Sequence, residues 1–152
     1  MEKIVFPNNV LLDEASELMA EGKTVNFTPK GNSMLPFIRG SLDSTLVSHT
    51  DNVEVGDIVL AKISGKYIMH RVFEVEGDKV TLMGDGNLGA KEHCLKGDVV
   101  GKVLEIHRGD KVIVPGKGKL WRMLLPVRRY LLFIYRKTHP RTFIPVKKQL
   151  EV

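Results

Sequence analysis

The stretch "GDIVLAKISGKYIMHRVFEVEGDKVTLMGDGN", residues 56–87, decides how this chain is read. It divides into three runs, "DIVLAKI" (57–63), "KYIMHRVFEVE" (66–76) and "KVTLM" (79–83), parted by "SGK" and "EGDK". Runs this rich in β-branched and aromatic residues favour extended strands, and the short Gly-containing connections carry hairpin chemistry. Working outward, "TVNFT" (24–28), "STLVSH" (44–49), "DVVGKVLEIHR" (98–108) and "KVIV" (111–114) read the same way, the last two joined through "RGDK". The expectation is a mainly β chain, a curled antiparallel sheet. Ahead of it, residues 9–21 place Val10, Leu11, Ala15, Leu18 and Met19 on one side of a helix that Gly22 stops.

Composition bounds the function classes. With 152 residues, 43% hydrophobic and 27% charged, the chain can bury a real core. One cysteine, Cys94, excludes an internal disulfide and fits a reducing, cytoplasmic compartment. The five histidines, His49, His70, His93, His107 and His139, have no zinc-type spacing, so neither a metal nor another cofactor is expected. The net charge of +5 is unevenly spread: residues 117–152 hold ten Lys/Arg against one acid, Glu151. Residues 1–116 are therefore mildly acidic, and a basic, partly helical tail begins after "PGKGK" (115–119).

The chain thus reads as a β body, 1–116, followed by a tail, 117–152. Arg122, Arg128 and Arg129 interrupt the apolar "LWRMLLPVRRYLLFIY" (120–135), so this is no transmembrane helix. The seven-residue recurrence of Arg122, Arg129 and Arg136 would align them on one helical face, with Pro126 kinking it. That pattern suits a helix lying at a membrane surface, or equally one packed on the body or on a second copy.

The candidate chemistry starts at "PKGNSMLPFIRGSLDS" (29–44), where Ser33 sits between turn-forming residues. A serine hydroxyl needs a neighbouring base before it becomes a nucleophile. Gly31 leaves room for close approach, and Pro36 stiffens the exit. His70, 37 residues on, lies on an expected strand with Ile68 and Val72 on its own face. Either residue alone reads as ordinary structure; the pair is what raises catalysis.

Five boxes in order, "GNSMLPF" (31–37), "GDIVLAKI" (56–63), "HRV" (70–72), "GDGN" (84–87) and "KGDVVGKV" (96–103), resemble the superfamily joining LexA-type self-cleaving repressors to type I signal peptidases. The resemblance covers residues 27–105 and implies that superfamily's curled sheet. It further implies Ser33 as nucleophile and His70 as general base. The base is lysine in the repressors and histidine in the endoplasmic-reticulum and archaeal signal peptidases. Histidine, with an ordinary value near 6.5, needs no large shift to accept a proton, whereas lysine does. Asp85 matches the first aspartate of the Gly-Asp-x-Asn turn and is the first choice for the acid orienting the imidazole, with Glu92 second. Met34 and Leu35 are expected to line the substrate approach.

Several features depart from the pattern. The Gly-Asp usual after the serine box is "RGSLDS" (39–44), and the aspartates that follow the Gly-Asp-x-Asn turn in eukaryotic-type enzymes are replaced by "LGAKEH" (88–93). Only 32 residues precede Ser33, so neither a helix-turn-helix domain nor a membrane anchor is expected there. There is no Ala-Gly pair to serve as a self-cleavage site. The function implied is that of a serine endopeptidase, signal-peptidase-like, acting on a protein or leader peptide and peripheral to a membrane through residues 117–152. The alternatives are an inactive peptide-binding module of the same fold and a scaffold tethered by its tail to membrane or nucleic acid. No recognised nucleic-acid motif supports the last.

Overall fold

The computed structural model describes residues 8–139, with side chains from residue 11 onward. Eight strands form one curled antiparallel sheet, a half-barrel, with a helix before it and helices after it. The strands are β1 Val25–Phe27, β2 Ser44–Ser48, β3 Ile58–Ile63, β4 Lys66–Glu76, β5 Lys79–Met83, β6 Glu92–Leu95, β7 Val99–Arg108 and β8 Lys111–Ile113. Their order across the sheet is β1-β2-β7-β3-β4-β5-β6, and β8 pairs with β7. Hairpins β3–β4 and β4–β5 stand where the decisive stretch predicts them.

β3 explains the unbroken apolar run of its sequence. Ile58 and Leu60 enter one core cluster with Met34, Ile38, Met69 and Val103, while Val59 and Ala61 enter a second with Val72, Val80 and Leu82. Neighbouring residues of a strand face opposite ways, so a strand covered on both sides must be apolar at every position. Burying one such aliphatic side chain contributes about 1.5–3 kcal/mol.

Helix α1, Asn8–Ala20, covers the first cluster. Its buried stripe is Leu12, Ala15 and Met19, spaced as a helix face requires. Leu11 and Leu18, expected on that face, are exposed instead. The contact that selects the rotation is Met19, whose sulfur would lie 2.8 Å from a Cβ on Gly101 of β7. Val10 lies outside the described side chains.

The loop between β1 and β2 is fixed by a buried carboxylate. Asp43 is fully buried and accepts from Arg39 Nε and Nη2 at 3.0 and 2.8 Å and from Arg108 Nη2 at 2.9 Å. Burial pushes its carboxyl up, but these guanidinium hydrogen bonds outweigh that and hold it below the ordinary range. The unusual "RGSLDS" segment thus folds around its own ion cluster and is tied to β7.

The C-terminal part is α2 Lys119–Met123, a 3₁₀ turn Leu125–Val127 and α3 Arg128–Thr138. The 3₁₀ turn contains Pro126 and separates Arg122 from Arg129 and Arg136, so the three arginines do not share one continuous helical face. Arg122 folds back to donate to the Phe73 carbonyl at 2.6 Å. The "PGKGK" linker is held at both ends. The Gly116 carbonyl accepts from Arg71 Nη1 at 2.8 Å, and Lys117 Nζ binds Asp57 and Glu54. Leu132 and Arg128 are buried against the body. Residues 140–152, part of the expected tail, lie outside the described residues.

Candidate active site

Ser33 sits in a turn entered through Gly31, whose φ of +96° a side chain would strain. A Cβ on the neighbouring Gly40 would fall 1.8 Å from the Gly31 carbonyl oxygen, so the two strands of the loop meet backbone to backbone. Ser33 is half-buried with its Oγ directed at β4. There the imidazole of His70, 7% exposed, places Nε2 at 3.0 Å from Ser33 Oγ.

The other ring nitrogen settles the tautomer. His70 Nδ1 lies 2.9 Å from Glu92 Oε2. A carboxylate oxygen only accepts, so Nδ1 carries the proton and Nε2 turns a lone pair to the hydroxyl. Glu92 reaches this position because β6 pairs with β5 and β5 with β4. Directly opposed residues share a sheet face, and Glu92 opposes Leu82, which opposes Val72. His70 is two residues from Val72 and so faces the same way. Strand β6 was not anticipated: "EHCL" is short and half polar, with little strand signal.

Asp85, expected first as the acid on the imidazole, is committed elsewhere. Its carboxylate accepts from Arg71 Nε at 2.9 and 3.1 Å and from Nη2 at 2.9 Å, both partners being buried. Burial pushes the Asp85 carboxyl up, against the pull of Arg71. Arg71 neighbours His70 and therefore points to the opposite face of β4, taking Asp85 with it. Met34 and Leu35, expected along the substrate approach, are buried, Leu35 completely and Met34 within the first core cluster. They support the serine turn from beneath.

The "GDGN" turn backs that serine. Gly86 N–H donates to the Ser33 carbonyl at 2.7 Å. A Cβ at Gly84 would stand 2.3 Å from the same carbonyl oxygen and 3.1 Å from His70 Nε2, and one at Gly86 would stand 2.5 Å from the Asn32 carbonyl oxygen. Both glycines are required by close approach.

The turn is in turn held by residues that the sequence reading did not single out as part of the site. Trp121 Nε1–H donates to the Asp85 carbonyl at 2.8 Å, and its ring meets Phe37 edge-on at 5.8 Å. Arg128 lies over the Trp121 ring at 5.0 Å and donates to the Asn87 carbonyl at 3.2 Å. Burial lowers the Arg128 pKa, against the charge of Asp85. Among the described residues no group of three or more His, Cys, Asp or Glu could hold a metal ion.

The arrangement can polarise an alcohol through an oriented imidazole, which is the chemistry of nucleophilic acyl transfer. In comparisons with known proteins, the family model described as Peptidase S24-like matches residues 3–104. No curated protein matches the chain. The match ends before Trp121 and Arg128, so the helices that brace the turn lie beyond the part shared with that family.

Proposed function

This chain belongs to the Peptidase S24-like family, within the LexA and signal peptidase superfamily, and from that premise we propose that it is a serine endopeptidase working through Ser33, His70 and Glu92. The observation that carries the reading is the unbroken hydrogen-bond line from Glu92 Oε2 to His70 Nδ1 and from His70 Nε2 to Ser33 Oγ, at 2.9 and 3.0 Å.

In this reading Ser33 Oγ attacks the scissile carbonyl as His70 Nε2 takes its proton. The Ser33 backbone N–H helps hold the oxyanion. His70 then protonates the leaving amine, giving an acyl-enzyme on Ser33. A water, deprotonated by the same nitrogen, hydrolyses that ester and restores the serine. Glu92 fixes the imidazole tautomer and stabilises its cation without taking a proton. The substrate is a protein or leader peptide bound in extended form along the sheet.

The test is cleavage of a leader-peptide library by wild type, Ser33→Ala and His70→Ala. Both variants should lose cleavage by at least ~10³-fold, while retaining cooperative unfolding. Cleavage that survives either substitution removes the mechanism. A wild-type protein that binds these peptides and cuts none of them is instead a binding module of the same fold.

A further inference from the structure

The two C-terminal helices bury one face and leave another apolar face uncovered. On α3, Arg128 and Leu132 turn inward. Tyr130, Phe133 and Ile134 turn outward and are 68%, 63% and 57% exposed. On α2, Leu120 and Met123 are 70% and 77% exposed. An amphipathic helix ordinarily shows solvent a polar face opposite its buried one. Here the outer face carries three large apolar side chains, with the exposed Arg129 and Lys137 among them.

We propose that this outer face docks on an anionic lipid bilayer, with Tyr130, Phe133, Ile134, Leu120 and Met123 entering the headgroup boundary. Charge identifies the occupant. From Lys117 to His139 there are seven Lys/Arg and no Asp or Glu. Such a surface attracts anionic headgroups and repels a second copy of itself. Aliphatic side chains gain nothing against a phosphodiester backbone, so nucleic acid does not account for Leu120, Met123 and Ile134. The helices lie flat on the surface and do not cross it, since no described helix is long and apolar enough to span a membrane. The face belongs to the same helices whose inner side holds the "GDGN" turn through Trp121 and Arg128. A docked molecule would therefore keep the Ser33 turn next to the lipid.

The proposal does not rest on Ser33 chemistry and is tested apart from it. The full-length protein is floated with vesicles of phosphatidylcholine containing a third phosphatidylglycerol, and with pure phosphatidylcholine, at physiological salt. Wild type and Ser33→Ala should float equally with the anionic vesicles and stay behind with the neutral ones. Phe133→Asp/Ile134→Asp should weaken partitioning by more than about tenfold, through lost apolar burial and added negative charge. The milder Met123→Ser/Phe133→Ser, at exposed positions that leave the fold unaltered, should weaken it in the same direction. The idea is overturned if wild type does not float, if both double variants float like wild type, or if neutral vesicles serve as well. It is likewise overturned if the double variants abolish self-association in sedimentation while flotation is absent, since the face would then belong to a second copy.

Discussion

Replacing Asp85 with asparagine separates the two acids near His70 by what each one does. Arg71 is 7% exposed, and its Nε and Nη2 rest on Asp85 while Nη1 rests on the carbonyls of Gly56 and Gly116. Without the carboxylate the guanidinium keeps two neutral acceptors and loses its counter-charge. Breaking a buried pair from one side costs about 3–5 kcal/mol. A domain of this size has roughly 5–15 kcal/mol in total. With a urea slope of roughly 2 kcal/mol/M, the unfolding midpoint should fall by about 1.5–2.5 M. Glu92→Gln should behave in the opposite way. Its side chain is 25% exposed, so the midpoint should hardly move. Turnover should drop by ~10²–10³-fold, because the amide no longer fixes the imidazole tautomer. The assay is a urea titration followed by circular dichroism, together with peptide cleavage below the transition. An Asp85→Asn protein with an unmoved midpoint and abolished turnover, beside a fully active Glu92→Gln, would refute the assignment and return Asp85 to the imidazole.

Three further outcomes follow from the geometry. Gly84→Ala sets a Cβ 2.3 Å from the Ser33 carbonyl oxygen and 3.1 Å from His70 Nε2; it should cost about 1–3 kcal/mol and at least tenfold in turnover, read by urea titration and cleavage. Trp121→Phe removes the donor to the Asp85 carbonyl and should cost about 1 kcal/mol while slowing cleavage, a loss that tracks the turn because Trp121 does not touch Ser33 or His70 in any hydrogen bond. Asp43, held below its ordinary value of 3.8, contributes stability that is complete above that value and is lost as pH falls through the lower folded value. Asp43→Asn should therefore be less stable than wild type at pH 7, and the gap should narrow as the pH falls below about 4, followed by thermal melts across that range.

Much of the sheet was readable because its strands obey period two or are apolar throughout, as β3 and β4 are. Ser33 and His70 were readable because each stands in a short box with its own turn or strand chemistry. The acid was harder for a definite reason. His70 and Arg71 are adjacent and point to opposite faces, so whether a carboxylate meets the imidazole or the guanidinium depends on the side of β4 it reaches. Asp85, one residue into a turn, arrives on the Arg71 side. Glu92 arrives on the His70 side only because four residues with little strand preference pair with β5. The burial of Leu35 follows from a turn that folds inward, and no periodicity announces that. The packing of Trp121 and Arg128 on the "GDGN" turn was beyond reach for another reason: nothing in a basic, apolar segment says which neighbour its arginines will bury against.

The brace on that turn makes the far end of the chain mechanically close to the nucleophile. Two bonds in series, Trp121 to the Asp85 carbonyl and Gly86 to the Ser33 carbonyl, connect them without passing through the sheet. A force that lifts α2 is delivered to the alcohol before the half-barrel deforms. Trimming the protein back to the span it shares with its family would thus leave the barrel standing and loosen the one bend on which attack depends.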